Sequence, residues 1–278
     1  MTADDAGIDP SRNRGIFRAL EAGLLKNISI IVNQAGWQDL LVRLKTFAEV
    51  ATGLHLNLTA GRPLASGLST LVDPEGKFFN KFELLKKVLE GSIEVQEVRK
   101  EFQAQWDFFR GAGLSASHFD GHHHIHVWPG IAQVFAQVVP HRAWVRRPCK
   151  KGILAIGPQL YEGTDLLLTD LNRLQKVLNF WCLQSDGIWQ RQFRTVDDFG
   201  GASLSDAPTL GGFQREIANL DGEVCEFMCH PGDEWDEDSV RFSKLMARQI
   251  ERDILCSAEL KLFLRNLPAN TVSYKDLS

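Results

Sequence analysis

Short apolar runs alternate, along the first half of the chain, with stretches in which apolar residues recur every three or four positions. Residues 27–33 (NISIIVN) form a β-branched run, and residues 53–59 (GLHLNLT) alternate leucine with polar residues, as strands do. Helical spacing is found at 37–47, 81–89 and 94–110. Strands that alternate with helices in this way predict a mostly parallel sheet with right-handed crossovers.

The periodic pattern of apolar residues is weaker in the second half of the chain, so each strand and helix there is predicted separately. Strands are predicted at 115–120, 143–148, 223–229 and 271–274, and helices at 165–184 and 239–265. Residues 186–212 contain a glycine cluster and are predicted to be loop. The pair Asp197 and Asp198 in this segment has no flanking helix or strand pattern, so we expect it to belong to a substrate-binding loop.

These elements predict an α/β fold, a deformed (β/α) barrel similar to a TIM barrel, in one domain over residues 1–278. The sequence contains neither a linker nor an internal repeat. Hydrophobic residues make up 44% of the chain and charged residues 24%, which is enough for a large core and argues against disorder.

One stretch has a composition that packing does not require. Residues 116–130 (ASHFDGHHHIHVWPG) hold five of the eight histidines of the chain. A solvated histidine-rich loop is the alternative, but apolar residues such as Phe119 and Trp128 anchor this stretch at the end of a predicted strand. Neutral imidazole is the commonest metal ligand among side chains. One short segment rarely completes a catalytic metal site, so further ligands are expected elsewhere.

Two other places in the chain could supply them. His55 lies on the polar face of residues 53–59, and Asp4 and Asp5 are adjacent carboxylates near the start of the chain. Taken alone, His55 could be a hydrogen-bonded structural histidine, and the two aspartates could cap a helix or lie in an exposed turn.

Charge and cysteine content exclude several classes of protein. The net charge is −4, and no basic run is longer than Lys150–Lys151 or Arg146–Arg147, so a nucleic-acid partner is not expected. The five cysteines are scattered and odd in number, which disfavours a disulfide framework and indicates a reducing compartment. Because the sequence has neither an apolar signal region nor a long apolar run, we expect a cytoplasmic protein without a membrane partner.

Five short motifs, ADDAG, GLHLNLT, HFDGHHHIHVWPG, RRP and CHPG, occur in this order along the chain. With them the sequence resembles the YdjC-like family of carbohydrate deacetylases, which includes chitooligosaccharide deacetylase, over residues 3–277. The resemblance implies a deformed barrel that binds one divalent cation, Mg²⁺ or Zn²⁺. It also implies a small N-acetylated saccharide as substrate, from which the acetyl group is removed by hydrolysis.

The resemblance also implies a role for individual residues. Asp5, His55 and His122 match the metal ligands. Asp4 matches the catalytic base, and His230 matches an active-site histidine that we expect to act as general acid. One carboxylate and two imidazoles would leave positions on the cation open to water and to a substrate oxygen, as catalytic sites require.

Three further residues are expected to support this site or to contact substrate. Arg146 matches the arginine of a family motif and is expected to orient a carboxylate. Strand alternation places His118 and Asp120 on the same side as His122, so both are expected to support the site or bind substrate.

The N-terminus departs from the family pattern, because only Met1, Thr2 and Ala3 precede Asp4. We therefore expect a truncated N-terminal strand and an open barrel edge, which could favour a homodimer. An alternative hypothesis is a catalytically impaired relative that binds sugar or metal. A phosphoester hydrolase is a weaker alternative, because it usually needs two metals and more basic groups than Arg146 and Arg147.

Overall fold

The computed structural model describes residues 1–157, 171–189 and 192–277. Eight parallel strands form one sheet in the order β6-β5-β4-β3-β2-β1-β8-β7. The strands are β1 (Thr2–Ala6), β2 (Asn27–Ile30), β3 (Ala51–Leu56), β4 (His118–Gly121), β5 (Trp144–Val145), β6 (Arg194–Thr195), β7 (Asp198–Gly200) and β8 (Cys225–Cys229).

The two edge strands of this sheet, β6 and β7, follow each other directly in the chain. Only Val196 and Asp197 separate them, so the sheet curls round until its two edges are joined through this short connection. The result is an irregular barrel of parallel strands with helices outside it. The predicted fold class, a deformed (β/α) barrel with mostly parallel strands, is therefore confirmed.

The N-terminal strand corrects one expectation. Although few residues precede Asp4, strand β1 is paired on both sides. Its register partners are Asn27 and Ile28 of β2 and Met228 and Cys229 of β8. The expected open edge at this strand was wrong, because the backbone of Thr2 and Ala3 is enough to bridge the two neighbouring strands.

Nine helices are described in these residues, and most follow a strand and pack against the sheet. They are α1 (Pro10–Glu21), α2 (Trp37–Leu44), α3 (Lys81–Leu89), α4 (Val95–Gly111), α5 (Ile131–Val138), α6 (Leu171–Trp189), α7 (Leu210–Ala218), α8 (Met246–Cys256) and α9 (Ala258–Arg265). Helix α1 begins at Pro10 because the carboxylate of Asp9 accepts a hydrogen bond from the amide of Arg12. Among the described helices, none is both long enough and apolar enough to cross a bilayer.

Three predicted elements in the second half differ from the structure. The segment 186–212 is not simply loop, because it contains β6, β7 and the start of α7. Residues 271–274 form no strand and lead into a 3₁₀ turn at Tyr274–Asp276. The helical region predicted at 239–265 begins only at Met246. The first part of the helix predicted at 165–184 lies outside the described residues.

Candidate metal centre and active site

The adjacent carboxylates Asp4 and Asp5 lie at the C-terminal end of β1. Neighbouring side chains on a regular strand point to opposite faces, so two consecutive aspartates would not normally reach the same site. Here Asp5 has a left-handed backbone (φ 65°), and the pairing of β1 with β2 shifts register between Ala3 and Ala6. This irregularity turns both carboxylates toward the same group of buried side chains.

Asp5, His55 and His122 bring three potential metal ligands together from three different strand ends. The Asp5 Oδ1 atom is 2.9 Å from His122 Nδ1 and 3.5 Å from His55 Nε2. One ligand atom from each residue lies within 4.8 Å of the other two. Among the described residues, none forms a hydrogen bond to either buried carboxylate oxygen of Asp5, and the nearest guanidinium nitrogen, Arg12 Nη1, lies 3.9 Å from Oδ2, so this carboxylate has capacity left for a cation.

The histidine tract supplies only one member of this group. After His122 the chain leaves the extended conformation, because the next two residues have left-handed φ angles of 55° and 57° and a 3₁₀ segment follows. The Nδ1 atom of His123 lies 2.9 Å from the hydroxyl of Thr59, and His126 Nε2 lies 3.0 Å from the carbonyl oxygen of Arg146. Strand alternation therefore does not continue beyond Gly121.

Asp120 fixes the orientation of His55. Its Oδ1 atom lies 2.7 Å from His55 Nδ1 and accepts a hydrogen bond of 2.5 Å from the hydroxyl of Ser29. Because Nδ1 is engaged in this way, Nε2 is the imidazole nitrogen that faces Asp5. The expectation that Asp120 supports the site agrees with this placement.

Arg146 lies beneath the site and contacts three carboxylates at once. It forms a bidentate pair with Asp4 (2.5 and 2.7 Å), binds Glu226 (2.8 and 3.1 Å), and places Nη1 2.9 Å from Asp120 Oδ2. All four side chains are at most 2% exposed. This bidentate contact fits the expectation that Arg146 orients a carboxylate, which stays a prediction.

Sequence reasoning missed Glu226. A signal was present, since Cys225, Phe227 and Cys229 alternate onto one face of β8 and leave this charged residue on the other face of a core strand. A carboxylate in that position needs a buried cation as partner, and Arg146 is that partner.

The electrostatics of the group favour positive charge at its centre. Burial raises the pKa of Asp4 to about 6, against the opposing influence of Arg146. Burial lowers the pKa of His55, but Asp120 and Asp4 outweigh it and raise that pKa to about 10. Burial also opposes ionisation of Asp5, yet His122 and His55 bring its pKa well below the usual range.

His230 follows β8 directly and is partly exposed, unlike the buried groups around it. Its backbone is fixed on both sides, because its carbonyl accepts from Arg12 Nη1 (2.9 Å) and its amide donates to Glu251 (2.5 Å). The ring stands edge-on to Phe242, with centroids 5.4 Å apart. Burial brings the pKa of His230 well below its usual range, so the imidazole is neutral at pH 7.

His118 lies apart from this group. It precedes Asp120 by two positions on β4, is fully buried, and stacks on Tyr274 with ring centroids 4.3 Å apart. A Cβ atom on Gly53 would lie 2.3 Å from this imidazole, so the neighbouring strand makes room for the ring. Its full burial fits a supporting role for His118, and both roles expected for it stay predictions.

The fold and the site together define a class: a parallel-strand barrel with a buried cluster of one aspartate and two histidines at the C-terminal strand ends. A sequence model described as YdjC-like protein matches residues 1–266. The chain belongs to the YdjC-like family.

Similar proteins agree with this assignment. A human protein named carbohydrate deacetylase is 38% identical over 159 residues, which are 55% of this chain and 49% of that protein, so this chain matches about half the length of that relative. A carbohydrate deacetylase from Clostridium beijerinckii is 27% identical over all of this chain and 98% of its own length. Carbohydrate deacetylase 1 from Listeria innocua is 28% identical over the same shares of the two chains.

One solved structure shows the same fold. It is a protein of Enterococcus faecalis V583, provisionally described as a cellobiose-phosphate cleavage protein, with a TM-score of 0.76 and 21% identity. The similarity covers 100% of this chain and 97% of the other. At this level of identity the comparison supports the barrel architecture alone.

Proposed function

We propose that this protein is a metal-dependent hydrolase that removes the acetyl group from N-acetylated sugars or short oligosaccharides of the chitooligosaccharide type. The observation that carries the proposal is the convergence of Asp5, His55 and His122 within 4.8 Å. Relatives named carbohydrate deacetylase that align over the whole chain support the class of reaction.

The residues present fit a single divalent cation. Asp5 offers two buried oxygens that accept no hydrogen bond from the residues the structure describes, and His122 Nδ1 and His55 Nε2 face one of them. Such a donor set suits Zn²⁺ or a related transition metal, while one carboxylate with added waters is compatible with Mg²⁺. When bound, the cation would polarise the amide carbonyl and make a water more acidic.

Asp4 is the residue proposed to take the proton of the attacking water. Arg146 holds both of its oxygens, so the carboxylate has one orientation. A pKa of about 6 leaves it ionised at pH 7 and more basic than an ordinary aspartate, which suits a general base.

His230 is the residue proposed to return a proton to the departing sugar amine. Because burial keeps its imidazole neutral in the free protein, His230 must first take up a proton from solvent and then donate it to the amine, while the proton of the attacking water stays on Asp4 and later returns to solvent. The residue as a whole is partly exposed, and its fixed backbone limits where the ring can move. The roles of acid and base therefore fall on two groups with different surroundings.

The proposal is tested by measuring acetate release from an N-acetylated chitobiose-type substrate together with the metal content of the purified protein. His122→Ala should lose most of the bound metal and most of the activity, because it removes one of three protein ligands. His141→Ala is a matched control, since His141 is exposed and far along the chain from the cluster.

Full metal content in the His122→Ala variant would reject the ligand assignment. Bound metal in the unaltered protein without acetate release from any such substrate would reject the activity. That second result would favour a relative that binds sugar or metal without turnover.

A further inference from the structure

A second set of potential metal ligands lies directly beside the first. Asp4, His55 and Asp120 also offer ligand atoms that lie within 4.8 Å of one another, and all three side chains are buried. Since Asp120 already engages His55 Nδ1, the groups available to another ion here are carboxylates. Two neighbouring cation sites are the arrangement that dinuclear hydrolases use.

This second position already contains a positive charge. The Nη1 atom of Arg146 lies 2.5 Å from Asp4 Oδ2 and 2.9 Å from Asp120 Oδ2. Nη2 lies 2.7 Å from Asp4 Oδ1 and 2.8 Å from Glu226 Oε1, and Nε lies 3.1 Å from Glu226 Oε2. The guanidinium therefore contacts the same carboxylate oxygens that would coordinate an ion.

We propose that the guanidinium of Arg146 occupies a second cation site between Asp4 and Asp120, where Glu226 holds it, and thereby restricts the centre to one divalent ion. The inference rests on the cation site of the proposed function but does not depend on which substrate is hydrolysed. It assigns Glu226 as a positioning residue, because this carboxylate binds the edge of the guanidinium formed by Nε and Nη2, next to the edge that Asp4 binds.

Charge balance makes the role of Arg146 testable. Without its side chain, the three buried carboxylates would lose the one guanidinium that all of them contact, which is strongly unfavourable in a dry interior. A divalent ion could replace the lost charge in the vacated volume. Since the donors would all be carboxylate oxygens, a hard ion such as Mg²⁺, Mn²⁺ or Ca²⁺ is expected there.

The experiment is an equilibrium titration with Mn²⁺, in which free Mn²⁺ is followed by electron paramagnetic resonance. The unaltered protein should bind one Mn²⁺ per chain, and Arg146→Ala should bind two. Arg147→Ala is the matched control, because Arg147 pairs with Asp186 outside the cluster and its loss should leave one ion bound.

Two ions in the unaltered protein, or one ion in folded Arg146→Ala, would overturn the proposal. Absence of Mn²⁺ from the unaltered protein would instead contradict the centre formed by Asp5, His55 and His122. In that case, one ion gained by Arg146→Ala would still support the second site, and no gain would overturn it.

If Arg146→Ala does not fold without added ions, the double variant Arg146→Ala with Glu226→Gln removes one of the three opposing charges. Its thermal unfolding is then measured with and without Mn²⁺, beside the single variant Glu226→Gln. A larger Mn²⁺-dependent rise in melting temperature for the double variant supports the proposal, and an equal rise in both variants overturns it.

Discussion

Two Asp-Asp pairs occur in this chain, and the barrel uses them in opposite ways. Asp4 and Asp5 end β1, while Asp197 and Asp198 lie at the start of β7. Both pairs are followed by Ala or Phe and then glycine, so their sequences look alike. The two pairs differ in the groups that contact their carboxylates.

In the second pair, backbone amides satisfy both carboxylates. Asp198 Oδ1 accepts from the amides of Lys151 (2.8 Å) and Phe199 (2.9 Å), and its Oδ2 accepts from the amide of Asp221 (3.1 Å). Asp197 is exposed, and its Oδ2 accepts from the amides of residues 223 and 224. These side chains hold the loops beside β7 together.

In the first pair, no backbone amide in the described part of the chain donates to either carboxylate. Asp5 faces two imidazoles and, at 3.9 Å, the guanidinium of Arg12, and Asp4 faces the guanidinium of Arg146. A carboxylate that accepts from backbone amides has little capacity left for a cation, whereas one surrounded by imidazoles retains it. The comparison indicates that hydrogen-bond satisfaction, rather than the Asp-Asp sequence, separates the candidate centre from a structural element.

Among the substitutions that test this difference between the two pairs, Asp5→Asn should have the largest effect. The amide keeps the shape but loses the charge between His55 and His122, so we expect loss of metal affinity larger than the about 10–100-fold typical of supporting groups. Acetate release should fall with it. The measurements are metal content and the rate of acetate release.

The matched control for that variant is Asp198→Asn, which makes the same chemical change in the other pair. It should leave metal content unchanged. Equal metal loss in the two variants would mean that the pairs differ less than their surroundings indicate.

Asp120→Asn tests how much the contact between Asp120 and the proposed ligand His55 contributes to metal binding. The amide can still contact His55 but no longer carries the charge that fixes its tautomer and pairs with Arg146. We expect metal affinity or activity to fall about 10–100-fold. Isothermal titration with Zn²⁺ would measure it, and affinity within twofold of the unaltered protein would contradict the supporting role.

The sequence predicted the fold class because the period-two and helical patterns are strong in the first half of the chain. Helix α3 has the predicted bounds, Lys81–Leu89. The sequence did not predict β7, since the three residues Asp198–Gly200 are too few to show a periodic pattern. They form a strand only because they pair with β8. The 271–274 segment looked like a strand, but the amide of Tyr274 donates to the side chain of Asn27 instead of to a strand.

The motifs of the sequence predicted the candidate metal ligands, but they did not predict all the side chains that support those ligands. Asp5, His55 and His122 were selected by chemistry and order, and the structure brings them together. Glu226 and Ser29 were missed, because the side-chain partner of each lies far away in the sequence. Contacts of this kind depend on strand register, which a single sequence does not specify.

Asp198→Ala should affect stability rather than metal binding. It leaves three backbone amides without their acceptor in a buried position, which should cost about 1–3 kcal/mol in the free energy of unfolding. Urea denaturation measures this loss, and metal content measured on the folded variant should match that of the unaltered protein. Reduced metal content at full stability would assign this carboxylate to the centre after all.

Asp197→Ala should have the smallest effect of the series, and it sharpens the comparison within the second pair. This carboxylate accepts two amides, as its buried neighbour accepts three, but it is exposed and water can replace it. The expected loss is about 0.5–1 kcal/mol, measured under the same urea conditions. If Asp197→Ala destabilised the protein more than Asp198→Ala, burial would not be the property that sets the strength of these contacts. The difference between the two pairs would then require an explanation other than access to water.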